Sequence, residues 1–195
     1  MINDELIKRI EDFLTEEFLH DQARLNHIKN VTKVALELGE IFNISSDKII
    51  VASYLHDATK KLSFEENFAL ASKMFNEREL TSVVKPCLHA YSAASLAKDK
   101  FSIEDQDILN AITYHCSGRS YMSNLEMIIF ISDYIEESRI FVTEELRILA
   151  RKSLRKATYI IMKQTCDYLL KNNRKISSLT LDAIEKFETQ EGGIQ

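Results

Sequence analysis

The chain has 195 residues with 25 basic and 30 acidic side chains, a formal charge of −5, and only four glycines and one proline. That length can bury one well-formed core, while the acidic balance argues against a general nucleic-acid or anionic-membrane binder. No apolar run approaches the roughly 18 residues that a bilayer span needs, and so few chain-breakers exclude a turn-rich sheet protein and predict an all-α fold. The start, Met1-Ile2-Asn3-Asp4-Glu5, lacks the basic then apolar plan of a secretory signal. Cys87, Cys116 and Cys166 are odd in number and widely spaced, which suits structural thiols in a reducing cytoplasm.

In chain order, residues 2–19 read as an amphipathic helix with Leu6, Ile7, Ile10, Phe13, Leu14 and Phe18 on one side. A second helix over 21–42 carries Ile28, Val31, Ala35, Leu38 and Phe42 at helical spacing, and His27 borders that stripe. Ser45 or Ser46 caps the next helix, which ends in His56-Asp57 with Lys60 three residues on. Residues 63–80 read as a more polar helix, and 81–88, holding the single proline, as a loop. A helix opening at His89 offers Ala90, Ala93, Ala94 and Ala97 for close packing. Another over 104–115 is stopped by Ser117-Gly118 in the manner of a glycine cap. Ser123 caps a helix in which Asp133 is set among isoleucines, and Thr143 caps one long helix to about Asn173. Its basic residues Arg147, Arg151, Lys152, Arg155 and Lys156 read as a solvated face in preference to a phosphate patch. Residues 174–195 read as a C-terminal helix and tail, and no internal repeat or domain boundary interrupts the chain.

His-Asp alone is a common dipeptide. A buried histidine and aspartate side by side nonetheless call for a partner, and a divalent metal is a good one. His27, His56, His89 and His115 all sit beside apolar stripes or at helix ends, and Asp57 and Asp133 are acids in apolar surroundings. Six nitrogen and oxygen donors suit two metals sharing a carboxylate, with positions left for water and substrate; a closed zinc site would use four, with some cysteine. His20 has no apolar framing and is left out.

The order His27, His56-Asp57, His89, His115, Asp133 resembles the HD-domain superfamily of metal-dependent phosphohydrolases in its six-ligand form. Arg24-Leu25-Asn26-His27, His56-Asp57-Ala58-Thr59-Lys60, His89-Ala90-Tyr91-Ser92-Ala93, Tyr114-His115-Cys116-Ser117-Gly118-Arg119 and the run Met122–Arg139 are similar to the YqeK family, over about residues 20–170. The resemblance implies a single helical HD domain over 1–195 and symmetrical hydrolysis of diadenosine tetraphosphate to two ADP by a metal-activated hydroxide. It also implies His27, His56, Asp57, His89, His115 and Asp133 as ligands of two divalent or trivalent ions. Iron is the family's metal, and manganese suits the same donors. Asp57 becomes the bridge between the ions. Cys116 departs from the family's threonine, and Thr59 from its usual small residue.

Beside these, Lys60 and Arg119 are candidates for holding phosphate at the reacting atom. Arg24, Ser117, Gly118 and Arg139 are further substrate contacts, with glycine allowing close backbone approach and guanidinium a bidentate grip. The expected partner is a nucleotide or dinucleoside polyphosphate, with neither nucleic acid nor membrane, and a homodimer is left open. Rival readings are another nucleotide phosphohydrolase on the same scaffold, acting on nucleoside monophosphates or deoxynucleotides, and a nucleotide-sensing module without turnover. The alarmone hydrolases are disfavoured, because Ala58-Thr59-Lys60-Lys61 lacks their acidic pair.

Overall fold

A computed structural model describes residues 2–191, and among them there are helices and turns but no strand. The fold is all-α. Helix α1 (Asp4–Glu17) starts on an Asn3 cap and buries Ile10 and Leu14. Helix α2 (Gln22–Ile41) starts on an Asp21 cap and buries Leu25, Ile28, Val31, Ala35 and Leu38. Helix α3 (Ser46–Leu55) buries Ile49, Val51, Ala52 and Leu55 against α2. The crossing is close: a Cβ on Gly39 would stand 2.0 Å from Ile49 Cδ1, so a larger residue there would push the Ile49 side chain aside.

Helix α3 stops at Leu55, and residues 56–61 turn tightly, with the Lys60 amide bonded to the Asp57 carbonyl at 3.0 Å. The polar stretch 63–80 is two helices, α4 (Phe64–Ala71) and α5 (Glu77–Ser82), because Asn76 caps a new start instead of continuing the old one. A short 3₁₀ turn at Lys85–Cys87 leads into α6 (Leu88–Phe101), followed by α7 (Gln106–Tyr114). Helix α8 (Asn124–Ile135) begins with a capping box formed by Ser123 and Glu126. It is buried on nearly every side, as a helix apolar all round should be, and packs on α2, α3, α7 and on α10 (Leu154–Lys171).

The single long helix expected over 143–173 is also two, α9 (Glu144–Lys152) and α10. Ser153 takes an extended conformation (φ −157°, ψ 104°), and its hydroxyl caps Lys156. Serine competes for its own backbone in this way, which is why it favours caps over helix interiors. The basic residues of this region are largely structural ties: Arg151 forks onto Glu37 at 2.5 and 3.0 Å. Arg147 donates to the carbonyls of Glu136 and Arg139, and Arg155 lies over the Phe187 ring. Helix α11 (Ser178–Glu191) closes the described chain against α10; residues 192–195 of the expected tail lie outside the described residues. One apolar cluster runs from Ile10 to Phe187, each fully buried Leu, Ile or Phe contributing roughly 1.5–3 kcal/mol.

Candidate metal centre

Five elements of this bundle meet at one point. The second turn of α2 supplies His27, the turn after α3 supplies His56 and Asp57, the first turn of α6 His89, the end of α7 His115, and the last turns of α8 Asp133. Ring centroids of His27 and His56 are 5.6 Å apart, those of His56 and His115 5.0 Å, and those of His89 and His115 5.1 Å. His20 is exposed and takes no part.

The four imidazoles are held alike. His56 Nδ1 donates to the Ser53 carbonyl at 2.6 Å, His89 Nδ1 to Pro86 at 2.8 Å and His115 Nδ1 to Ile112 at 2.8 Å. His27 Nδ1 donates to Glu136 Oε1 at 3.2 Å. Each bond fixes a tautomer in which Nε2 carries a lone pair. Those lone pairs face Asp57, which divides them. Its Oδ2 lies 3.7 Å from His27 Nε2 and 3.8 Å from His56 Nε2; its Oδ1 lies 3.0 Å from His89 Nε2 and 3.6 Å from His115 Nε2. Asp133 Oδ1 joins the first group, 3.0 Å from His27 Nε2.

Lone pair against lone pair is repulsive unless a positive species lies between. His27 Nε2, His56 Nε2 and Asp57 Oδ1 are buried without a hydrogen-bond partner, a costly arrangement for a protein interior. Metal–ligand bonds of about 2.0–2.1 Å, at tetrahedral to octahedral angles, place neighbouring donor atoms about 2.9–3.4 Å apart. Several of the distances above fall in or close to that interval, so the residues fit a cation. Protons compete for the same lone pairs. Burial pushes His56 down to about 4, leaving it neutral and ready to ligate. For His27, burial acts downward but is outweighed by Asp133, Asp57 and Glu136, which raise it. Asp133 is lowered although burial alone would raise it, because His27 and His56 favour its charged form.

Positive side chains already crowd the centre. Arg24 Nη1 lies 2.5 Å from Asp57 Oδ2, so its main partner here is that carboxylate. Lys60 Nζ lies 3.0 Å from His89 Nε2 and 3.5 Å from Asp57 Oδ1, reaching them through the 56–61 turn and not along a continued helix. Arg139 Nη2 lies 3.3 Å from Asp133 Oδ1. A cavity of about 620 Å³ is lined by His115, Cys116 and Asp133 together with Arg139, Phe141 and Tyr168. That volume is in the roughly 300–1,000 Å³ range of small-molecule sites.

Three sequence candidates have other duties. Arg119 forks onto buried Glu126 with both bonds at 2.7 Å and stacks over Tyr114, so its guanidinium is committed to the start of α8 and does not line the cavity. Gly118 is in the left-handed region (φ 63°), and a Cβ there would meet Met162 Cε at 2.3 Å; it serves the turn and the packing. Ser117 is buried, its hydroxyl on the Gly118 carbonyl and its own carbonyl accepting from Thr180.

Two residues at the centre were not among the sequence candidates for the site. Glu136 is fully buried and takes His27 Nδ1, Asn30 Nδ2 and the Ser138 amide, besides a short bond from the Ser138 hydroxyl. Its place one turn after Asp133 was the available signal. Cys116 Sγ lies 3.3 Å from His115 Nε2. Thr59 contributes from behind: it bonds the His89 carbonyl at 2.8 Å and Ser92 at 2.7 Å, tying the turn to α6.

The HD domain family model matches residues 24–138. The chain is 33% identical over 177 residues to a Bacillus subtilis protein named symmetrical bis(5'-nucleosyl)-tetraphosphatase, covering 90% of this chain and 92% of that one. A Staphylococcus aureus protein of the same name is 30% identical over 169 residues, with 85% and 87% covered. A crystal structure of a protein from Clostridium acetobutylicum, described as a predicted HD superfamily hydrolase involved in NAD metabolism, superposes with a TM-score of 0.87 at 30% identity, covering 94% of this chain and 97% of the other. With the convergent histidines and aspartates already in place, these matches settle the kinship: the chain belongs to the HD-domain family.

Proposed function

We propose that this protein is a symmetrical bis(5'-nucleosyl)-tetraphosphatase, hydrolysing diadenosine tetraphosphate to two ADP at a dinuclear metal centre. The observation that carries the metal half of this reading is the division of Asp57, one oxygen toward His27 and His56 and the other toward His89 and His115. The names of the relatives in Bacillus subtilis and Staphylococcus aureus support the substrate half. His27, His56, Asp133 and Asp57 Oδ2 would hold one ion; His89, His115 and Asp57 Oδ1 would hold the other. Two ions so held would supply a deprotonated water at neutral pH and neutralise charge on the attacked phosphate.

The chain's own residues do the rest. Carbonyls of Ser53, Pro86 and Ile112, with the Glu136 carboxylate, lock each ring in its ligating tautomer before any substrate arrives, so no reorganisation is left for the reaction. Lys60 and Arg139 stand at different half-sites, by Oδ1 of Asp57 and Oδ1 of Asp133 respectively. A polyphosphate gripped at both half-sites keeps its inner phosphorus at the centre, which favours breaking the central bridge. Arg24 would release Asp57 Oδ2 to an ion and turn to phosphate. The cavity beyond Asp133 takes one nucleoside, with Tyr134, Phe141 and Tyr168 as apolar walls. Iron or manganese suits the imidazole and carboxylate donors. Three free thiols support a reducing cytoplasm, and among the described residues no helix is long and apolar enough to cross a membrane.

The test is to incubate purified, metal-loaded protein with diadenosine tetraphosphate and separate the products. ADP alone is expected. ATP with AMP would mean attack at an outer phosphorus, and turnover confined to nucleoside monophosphates would favour the rival phosphatase reading.

A further inference from the structure

The proposed function leaves Cys116 without a task, although its Sγ lies 3.3 Å from His115 Nε2 and 3.5 Å from His89 Nε2. Those two nitrogens are themselves 3.3 Å apart. Buried Asp57 Oδ1, which has no hydrogen-bond partner, approaches the same pair at 3.0 and 3.6 Å. A thiol hydrogen bond does not explain the triangle, because one S–H proton can serve only one of two lone pairs. A shared cation does. With bonds of about 2.3 Å to sulfur and about 2.0–2.1 Å to nitrogen at tetrahedral angles, sulfur and nitrogen stand about 3.5 Å apart and the nitrogens about 3.3–3.4 Å.

We propose that Cys116 is itself a ligand, as thiolate, of the ion held by His89 and His115, completing with Asp57 Oδ1 a set of two nitrogens, one sulfur and one oxygen. This rests on the metal-centre reading above and goes beyond it by making the two half-sites chemically unequal. The His27, His56 and Asp133 side offers nitrogen and oxygen only. The Cys116 side gains a soft donor and should favour zinc or ferrous iron over manganese. On binding, the sulfur–metal bond forms and the thiol proton passes to solvent. Lys60, 3.0 Å from His89 Nε2 on a turn and one-third exposed, is the group that withdraws as the ion enters. A threonine at position 116, the residue the resembled family usually carries, would offer only a neutral hydroxyl.

The test uses the full chain, stripped with chelator and titrated with cobalt(II) chloride, while bound cobalt is measured by elemental analysis. Wild type should show a sulfur-to-cobalt charge-transfer band in the near ultraviolet. Cys116→Thr should lose the band and weaken cobalt binding at one site by at least about tenfold, the lower end of what perturbing even an outer partner of a ligand costs. Cys87→Ser and Cys166→Ser should keep the band. Cobalt bound without the band, or a band surviving in Cys116→Thr, overturns the thiolate ligand and leaves the metal centre standing. Failure of wild type to bind cobalt overturns both.

Discussion

Glu136 offers the sharpest perturbation, because it is no ligand itself and acts on the centre through its neighbours His27 and Arg139. Its Oε1 takes the His27 Nδ1 proton and the Ser138 hydroxyl and lies 3.5 Å from Arg139 Nε. Its Oε2 takes Asn30 Nδ2 at 3.2 Å and the Ser138 amide at 2.7 Å. Glu136→Gln keeps the volume, yet whichever oxygen becomes an amide then points a donor at donors. Each buried donor left unsatisfied costs about 1–3 kcal/mol. If the amide faces His27, the ring loses the acceptor that fixes its tautomer, and part of this cost falls on metal binding. The expected loss is about 10–100-fold in affinity for the ion on the His27 side, with the His89 and His115 side unchanged. The assay is metal titration of stripped protein with elemental analysis after gel filtration, beside turnover at saturating metal. Glu136→Gln with wild-type affinity for both ions would refute the view that this carboxylate sets the His27 ring.

Asp57→Ala should abolish hydrolysis and lower metal content at both half-sites, since one carboxylate faces all four imidazoles; His20→Ala, on an exposed residue, should alter neither. Retained turnover in Asp57→Ala would end the shared-carboxylate mechanism. Arg119→Ala should lower thermal stability while leaving metal content intact, because its fork onto Glu126 anchors the α8 start. With Arg119 about one-third exposed the loss is discounted to about 1–2 kcal/mol, or a few degrees in Tm at about 2–4 °C per kcal/mol for a chain of this size. Unchanged melting with a large rise in KM would return Arg119 to the substrate. Arg139→Ala should raise KM for the polyphosphate without loss of metal, measured by initial rates and elemental analysis together.

The all-helical architecture was legible because apolar residues recur at helical spacing and glycine and proline are scarce. The convergence of His27, His56, Asp57, His89, His115 and Asp133 was legible for a related reason: each interrupts an apolar stripe or ends one, so the fold carries it inward. What escaped depends on partners distant in sequence or on local competition. Arg119 looks like a free cation in sequence, and only packing brings it bidentate onto Glu126. Glu136 stands beside Glu137 at a helix end with nothing in the sequence to tell the two apart, yet one is fully buried and the other holds Lys33 at the surface. Ser153 sits in an unbroken periodic pattern, and its hydroxyl decides between helix interior and cap on a margin of about 1 kcal/mol. Cys116 was read as a substitution for threonine and its reach to two imidazoles could not be seen without the end of α7 in place.

The division of Asp57 between two groups of imidazoles is tested most directly by anomalous scattering from crystals of the metal-loaded protein. Two peaks are expected about 3.5–4 Å apart, one between His27, His56 and Asp133 and one between His89 and His115, with an Asp57 oxygen on each. A single peak bound by both groups together, or one lying away from Asp57, would contradict the dinuclear centre.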